Sequence, residues 1–269
     1  MHVSLQFSTS LKSSSDVAHL VRFTPPVPDA EIWINHSRVS INGPFAHGQR
    51  YIATVSDAVV GSNGERLSGS QTISFETPDR SPAVRFPISN GILSPHGYLL
   101  LDVETVNVAG LELAAARVHA NNLVQHLRGE YESATARKLN PQTLRIGEPG
   151  KNITKTTTLD LRQWLEQPLG VYHLRVKAAD HAWTNDDAVV TVTDLALTCK
   201  RERSGLLVWV TSLRTAQPVA NVKVSSLSFS NQTLASTTTD SHGIARLPCD
   251  ERHPDGKPWV IIAEQEAAL

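Results

Sequence analysis

An alternation of apolar and polar residues between Gly170 and Leu247 constrains the fold of this chain more than any other feature. At its start, Tyr172, Leu174 and Val176 alternate with basic residues, which is the period of a strand with one buried face. Further runs rich in apolar and β-branched residues follow at 189–195, 206–213 and 219–229. The stretch therefore predicts a small sandwich of antiparallel strands, entered directly from the last strand of a similar module.

The rest of the chain repeats this pattern, and its length of 269 residues is typical of two or three domains. We predict an all-β fold of tandem antiparallel β-sandwich modules, with domains at 1–79, 83–186 and 187–269. A proline-containing linker, Thr77–Pro82, separates the first two. A sandwich of this kind needs one more strand than the third segment supplies, so we expect that module to be truncated. Strands are predicted at 7–11, 18–23, 31–34, 38–41, 50–55, 71–75, 97–106, 111–119, 154–161 and 259–263.

Helix is expected to be a minor ingredient. Residues 121–128 suit a short helix or a strand end, 129–142 are polar enough for a long surface loop, and 161–165 suit one or two helical turns. Asn63-Gly64 predicts a turn with positive φ.

Charge and hydropathy exclude several classes of partner. The formal net charge is -1, and the densest basic group, Lys200-Arg201-Glu202-Arg203, contains an acid and falls at a predicted hairpin turn. This gives no electrostatic case for nucleic acid or anionic membrane. No apolar run reaches the roughly 20 residues that span a bilayer, and the amino terminus lacks signal-peptide features. We expect a soluble chain, either cytoplasmic or cut from an exported precursor.

The sequence predicts no catalytic, cofactor-binding or metal site. The densest candidate is His181 with Asp180, Asp186 and Asp187, which could gather around a cation, but polar residues between two predicted strands usually face water. Zinc-site spacings, phosphate-binding glycine loops and a nucleophile elbow are absent from the sequence. The prediction is a protein that is not an enzyme and needs no cofactor.

Tryptophans and cysteines leave alternatives open. The five tryptophans could form a sugar-stacking platform, yet Trp33, Trp209 and Trp259 lie inside strand patterns and are predicted to be core. Cys199 and Cys249 could form one disulfide in an oxidising compartment.

Several short motifs, in their order along the chain, resemble bacterial alpha-2-macroglobulins. Motifs similar to those of the family's first macroglobulin-type domain occur at residues 94–99, 106–108 and 116–123. The junction into the next domain and that domain's start are similar to residues 170–172, 192–197, 207–213, 218–222 and 239–245. The bacterial Ig-like domain that often precedes these modules is similar to residues 47–51 and 74–77.

The resemblance implies an Ig-like domain followed by two macroglobulin-like domains, as the amino-terminal scaffold of a periplasmic or cell-envelope protease trap. In such a trap a protease cleaves a bait segment and the rearranging molecule cages it. The implied partners are proteases, through the full-length parent, and the remaining macroglobulin domains, with membrane anchoring only through a precursor segment. Many members carry a Cys-x-Glu-Gln thioester. Here Glu264-Gln265 has Ile262 at the thiol position, so neither thioester nor bait region is expected in this chain.

Two other hypotheses use the same residues. The sandwiches and tryptophans would also suit an adhesin-like or carbohydrate-binding tandem Ig module, with Trp183 as a contact. His181 and its neighbouring carboxylates would suit a cryptic hydrolase. Fold alone does not decide among them, because sandwiches carry many unrelated functions.

Overall fold

The computed structural model describes residues 1–12, 19–129, 132–147, 150–165, 168–203, 205–250 and 252–265. Strands in mainly antiparallel sheets dominate these residues, which confirms the all-β prediction. The chain forms two compact units: residues 1–81 with 150–153, and residues 82–149 with 154–269.

The first unit is a sandwich of two three-stranded sheets, ordered β1-β4-β3 and β2-β5-β6. Between them lies an apolar core that includes Val39, Ile41, Ala53 and Val55, each at most 2% exposed. Its strands are β1 (His2–Gln6), β2 (Val21–Thr24), β3 (Glu31–Asn35), β4 (Arg38–Asn42), β5 (Arg50–Val55) and β6 (Gln71–Glu76).

The first strand lies earlier than predicted. It occupies His2–Gln6 instead of residues 7–11, because Val3 and Leu5 pair with the buried Ile41 and Val39 of β4. Residues 7–11 make only single hydrogen bonds and an isolated bridge at Leu11. Part of the predicted strand at 18–23 falls outside the described residues. The predicted turn at Asn63-Gly64 is confirmed, since Gly64 has φ +87°.

Within the second unit, a first group of strands forms a sandwich that we call the second sandwich. One sheet has the order β13-β9-β7. The other has the order β11-β10-β14-β15-β8, with β12 also paired to β10. Its strands are β7 (Ala83–Arg85), β8 (Asn90–Leu93), β9 (Leu100–Val106), β10 (Gly110–Val118), β11 (Ala136–Lys138), β12 (Gln142–Arg145), β13 (Thr154–Asp160), β14 (Gly170–Ala178) and β15 (Asn185–Val192).

Short helical segments connect these strands. A 3-10 turn (Ala120–Asn122) leads into α1 (Leu123–Leu127), so the predicted short helix near 121–128 is confirmed. The polar segment 129–142, predicted to be a loop, instead contains α2 (Glu132–Thr135) and the edge strand β11, while residues 130–131 lie outside the described residues. The predicted helical turn at 161–165 is a 3-10 turn, Leu161–Gln163, with Leu161 buried.

The last strand of the second sandwich runs past the predicted domain limit. Ala188, Val190 and Val192 of β15 are buried in the second core and pair with β14. The predicted limit between residues 186 and 187 therefore falls inside β15. The sequence did not reveal this, because the apolar run up to residue 195 contains no local signal that marks where one core ends and the next begins.

The remaining strands form the third sandwich, whose sheets have the orders β16-β17-β20 and β19-β18-β21. Its fully buried core is small: Val208, Val210, Val222, Val224, Ala245 and Leu247. The strands are β16 (Leu195–Glu202), β17 (Gly205–Ser212), β18 (Lys223–Ser228), β19 (Thr233–Thr238), β20 (Ile244–Pro248) and β21 (Pro258–Glu264). The basic group at 200–203 ends β16 and enters the predicted hairpin turn, whose Ser204 lies outside the described residues.

None of the helices in the described part of the chain has the length and hydropathy needed to cross a membrane.

Candidate functional site

The acidic cluster around His181 does not form in the structure. His181 Nε2 lies 3.7 Å from Asp180 Oδ2, and both side chains are substantially exposed. Asp187 is drawn instead to Arg175, whose Nε lies 2.8 Å from its Oδ1, and Asp186 accepts a backbone N–H from residue 86 at 2.8 Å. Among the described residues no group of three or more His, Cys, Asp or Glu side chains is arranged to hold a metal ion. The hydrolase hypothesis thereby loses the cluster on which it depended.

Three of the tryptophans are exposed, so the prediction that they are core was wrong. Trp33, Trp209 and Trp259 are 41–43% exposed. Trp33 and Trp209 lie on the face opposite the buried one, and alternation by itself does not say which face is inside. Trp259 has the same parity as Ile261 and Ala263, which pack on the third core, but it falls where the pairing of β18 with β21 is irregular. Trp164 packs on the second core, and Trp183, between β14 and β15, is 96% exposed.

The cysteines and the Glu264-Gln265 pair show no reactive arrangement. Cys199 and Cys249 are both free thiols, so the predicted option of a disulfide is not realised in this structure. Ile262 is partly buried on β21, while Glu264 and Gln265 are exposed at its end.

The second and third sandwiches meet at a small aromatic joint. The guanidinium carbon of Arg128, just after α1, lies 4.4 Å from the ring centroid of Phe229. Phe229 in turn packs edge-on against Trp259 of β21, with ring centroids 5.3 Å apart and an interplanar angle of 89°. A cation over an aromatic face and an edge-to-face ring pair are both attractive geometries. We call these three residues the aromatic joint.

Hydrogen bonds reinforce the aromatic joint. Arg128 Nη1 donates to the Phe229 carbonyl at 3.2 Å, and Asn231 Nδ2 donates to the Asn121 carbonyl at 2.9 Å. Asn231 has φ +62°, a conformation that asparagine tolerates better than most residues, and it closes the turn between β18 and β19. The turn is thereby shaped so that its tip faces the segment around α1.

The short connection between the two sandwiches is also fixed in place. Asp194 accepts hydrogen bonds from the buried Ser212 hydroxyl at 2.7 Å and from the Arg214 backbone N–H at 3.1 Å. Its own carbonyl accepts the Leu213 N–H at 2.7 Å. Asp194 therefore ties the linker to the far end of β17. The backbone N–H of Thr193, just before it, donates to the carbonyl of Leu93 in β8 at 3.0 Å, so the connection is held on the side of the second sandwich as well.

A groove of about 810 Å³ runs beside this connection. On one wall are the ends of β10, β14 and β15, including Arg117 and His119, and on the other is residue 195 with the end of β21, residues 262–265. The lining mixes basic and acidic side chains with apolar ones, and none of them forms a catalytic constellation. Arg117 Nη2 donates to the Leu169 carbonyl at 3.4 Å, which places its charge on the groove wall.

Sequence reasoning did not identify the aromatic joint or the groove. Arg128 and Phe229 are separated by 101 positions in the chain. Phe229 and Trp259 each fall in or beside a strand pattern that would place them inside a core. The one available signal is Asn231 after an apolar strand, which marks a turn but not its partner.

Comparison with known proteins finds bacterial alpha-2-macroglobulins. Residues 192–269 match the family model described as bacterial alpha-2-macroglobulin MG3 domain. An alpha-2-macroglobulin homolog from Yersinia pestis is 26% identical over 226 residues, 70% of this chain and 11% of the relative.

Solved structures share the fold. Native alpha-2-macroglobulin from Escherichia coli spanning domains MG0-NIE-MG1 has a TM-score of 0.63 and 20% identity over 98% of this chain and 89% of that one. A mutant of Salmonella alpha-2-macroglobulin has a TM-score of 0.77 and 21% identity, over 98% of this chain and 17% of that one.

The chain spans about a tenth of the length of its curated relative. The family model and the Escherichia coli structure number the macroglobulin domains differently, but both describe macroglobulin domains of bacterial alpha-2-macroglobulins. The domain match, the relative and the shared fold agree: the chain is similar to bacterial alpha-2-macroglobulins, and its residues 192–269 match one macroglobulin domain of that family.

Proposed function

We propose that this chain is an amino-terminal scaffold segment of a bacterial alpha-2-macroglobulin-like protease inhibitor, acting outside the cytoplasm. Its role is to hold domains at defined angles so that the parent molecule can enclose a protease. It contributes no catalytic group, bait segment or thioester, and its partners are the remaining macroglobulin domains and, through the parent, proteases. The domains correspond to the three sandwiches, with the second ending near residue 193.

The observation that carries this proposal is the fixed connection between the second and third sandwiches. A scaffold must transmit position, and here the aromatic joint, the Asn231 hydrogen bond and the Asp194 linker contacts all restrain the same connection. Flexible tandem domains would instead be joined by exposed polar linkers with few crossing contacts. One of the structural relatives is a trypsin activated alpha-2-macroglobulin from Escherichia coli, which names the kind of protease to test.

The decisive experiment compares this chain with its full-length parent, using trypsin. Trypsin treated with the parent should lose activity on casein but keep it on a small peptide substrate, because a cage excludes large substrates alone. The isolated chain should slow the cleavage of neither substrate. If the isolated chain inhibited trypsin cleavage of both casein and the peptide, the scaffold role would be contradicted, since the chain would then need a directly inhibitory surface.

A pair of variants in the parent tests the joint itself. Phe229→Asp places a carboxylate beside Trp259 and removes the aromatic ring under Arg128. The parent carrying this change should therefore protect casein less well from cleavage by trypsin. Tyr98→Ser, at a side chain that is 84% exposed, should leave protection unchanged. Equal protection by both variants would show that the joint is not needed for trapping.

The 96% exposure of Trp183 supports a second candidate, an adhesin-like or carbohydrate-binding module. An indole that projects from a turn is free to stack on a sugar ring. Binding on a glycan array that disappears with Trp183→Ala would favour this function over the scaffold. The matched control is Trp33→Ala, because that indole already packs against His2, with ring centroids 5.8 Å apart.

A further inference from the structure

Three asparagines of this chain are followed directly by glycine: Asn42-Gly43, Asn63-Gly64 and Asn90-Gly91. Glycine has no side chain to shield its backbone nitrogen, so this nitrogen can attack the Cγ carbonyl carbon of the preceding asparagine. Asparagine is accordingly one of the thermolabile residues of proteins. Because the dipeptide is the same at all three positions, the structure around each one decides whether it reacts.

The attack closes a five-membered ring, and this requires rotation about the Cα–C bond of the asparagine. In strands ψ is about +115 to +135°, which carries the next nitrogen away from the asparagine side chain. The rotation that brings the nitrogen back also turns the peptide unit out of the sheet. A strand therefore protects an Asn-Gly pair through the inter-strand hydrogen bonds that the rotation would break.

The first pair is protected by a central strand. Asn42 is the last residue of β4, and it pairs with His2 on one side and with Glu31 on the other. Gly43 is closely packed as well, since a Cβ there would lie 2.9 Å from a side-chain carbon of Val27. Rotation at Asn42 would disturb both neighbouring strands.

The third pair is protected by parallel pairing. Asn90 and Gly91 of β8 lie opposite Val189 and Val190 of β15. The carbonyl of Ser89, just before them, accepts the Val189 N–H at 2.9 Å, and Val190 is fully buried. Asn90 is exposed, but rotation at this residue would separate β8 from β15.

The second pair lies in a turn that runs from Gly61 to Glu65, where residues 62–66 are exposed. Asn63 Oδ1 accepts the Glu65 N–H at 3.2 Å, and Asn63 Nδ2 donates to Glu65 Oε2 at 2.8 Å. Both hydrogen bonds fold the asparagine side chain back along the chain, over the peptide unit that begins at the Gly64 nitrogen. The first one also polarises the Cγ carbonyl, as a donor does at any carbonyl under attack.

The Gly64 amide is held only locally. Its N–H donates to the Gly61 carbonyl at 2.9 Å, within the same turn. A Cβ built on Gly64 would meet no atom of the described residues within 4 Å, so the peptide unit has room to rotate. The rotation at Asn63 therefore leaves the strands of the sandwich paired.

We propose that Asn63 is a site of spontaneous deamidation in the folded protein, and that the sheets protect Asn42 and Asn90. In the first step the Gly64 nitrogen forms a bond to Asn63 Cγ and the bond from Cγ to Nδ2 breaks. Ammonia leaves with the proton that the Gly64 nitrogen loses. Water then adds to one of the two carbonyl carbons of the succinimide and opens the ring, which gives aspartate or isoaspartate at position 63. Neither step requires an oxidant or a reductant.

The modification changes the turn. A carboxylate in place of the amide removes the donor to Glu65 Oε2 and places two negative charges side by side. Isoaspartate also lengthens the main chain by one methylene, next to Ser62, whose N–H donates to the Ser10 carbonyl at 2.7 Å. The modified turn should therefore hold the segment around Ser10 less firmly.

Timed incubation of the whole chain at mildly alkaline pH, followed by tryptic digestion and mass spectrometry, tests the proposal. The three pairs fall on separate tryptic peptides, residues 39–50, 51–66 and 86–117. In the folded protein Asn63 should convert about tenfold faster than Asn42 or Asn90, because conversion at those two must also break inter-strand hydrogen bonds. In urea, which unfolds the strands, the three rates should become similar.

Two controls identify the source of the signal. Digestion in water enriched in heavy oxygen marks any conversion that occurs during sample preparation. Asn63→Gln would have to close a six-membered ring, so it should remove the conversion from peptide 51–66 and leave the other two rates unchanged. The proposal is overturned if Asn42 or Asn90 converts as fast as Asn63 in the folded protein, or if unfolding accelerates Asn63 as much as it accelerates the other two.

Discussion

The aromatic joint allows one quantitative prediction, because its central interaction can be separated from the others. We consider Arg128→Gln and Phe229→Leu, singly and together. The first change removes the cation and shortens the side chain to a neutral amide, and the second removes the aromatic face and keeps an apolar group. Arg128 also donates to the Phe229 carbonyl, but that acceptor is backbone and persists in both Phe229 and Leu. The coupling energy of this double-mutant cycle therefore reports the contact between cation and ring.

The expected magnitude follows from exposure. Arg128 is exposed, and Phe229 is 53% exposed. Cation–π contacts at exposed sites contribute about 0.5–1 kcal/mol, and more only when they are desolvated. We therefore expect a coupling energy of about 0.5–1 kcal/mol. Phe229→Leu alone should cost more, because it also removes the edge-to-face contact with Trp259, for which about 0.5–1.5 kcal/mol is typical.

The assay is urea denaturation monitored by tryptophan fluorescence, because neither substitution replaces any of the five tryptophans. Side-chain NMR gives an independent reading: the Arg128 δ protons should be shifted upfield by the ring below them and should lose this shift in Phe229→Leu. Val39→Ala, in the core of the first unit, combined with Arg128→Gln in the second unit is the control pair, and we expect their effects to add within about 0.3–0.5 kcal/mol. A coupling energy near zero, together with an unshifted Arg128, would refute the geometry of the joint.

Three further predictions concern single residues. Leu174→Ala empties a fully buried position and should lower the free energy of unfolding by about 2–5 kcal/mol in urea titrations. Gly243→Ala should lower the free energy of unfolding by about 1–3 kcal/mol in thermal melts, because φ is +72° and the new Cβ would lie 2.4 Å from a backbone carbonyl oxygen. The control, Gly64→Ala, has φ +87° but open space around it, so it should lower the free energy of unfolding by less. Lys151 lowers the pKa of Asp79 by binding its carboxylate, so the stability that Asp79 contributes is present above its ordinary pKa of 3.8 and is lost as the pH falls through the lower folded value. Asp79→Asn should remove that acid dependence in pH titrations of unfolding, and an unchanged acid limb would contradict it.

Much of the strand content could be predicted because alternation is a local signal. Strands β3, β4, β5 and β6, the long pair β10 and β14, and the last strand, β21, all fall where period-two patterns or β-branched runs predict them. The alanine-rich part of β10 also forms a strand as expected, since pairing with β14 along its length and with β11 from Ala116 onward overrides helix propensity.

Other local features required partners that the sequence does not identify. Strand β1 depends on Val39 and Ile41 for its register, and nothing within residues 1–11 distinguishes 2–6 from 7–11. The end of the second core at Val192 depends on pairing with β14, so the predicted limit at 187 fell inside a strand.

The sequence by itself determined that this chain is a series of β modules with motifs similar to those of bacterial alpha-2-macroglobulins, and that Ile262 departs from the thioester pattern. Its alternating residues require a buried face, and burial of such faces in short antiparallel strands has few other solutions. The tertiary structure alone decided which face that is. It left Trp33, Trp209 and Trp259 exposed and brought Arg128 over Phe229. These features arise from contacts between residues far apart in the chain, and a periodicity carries no information about its distant partners.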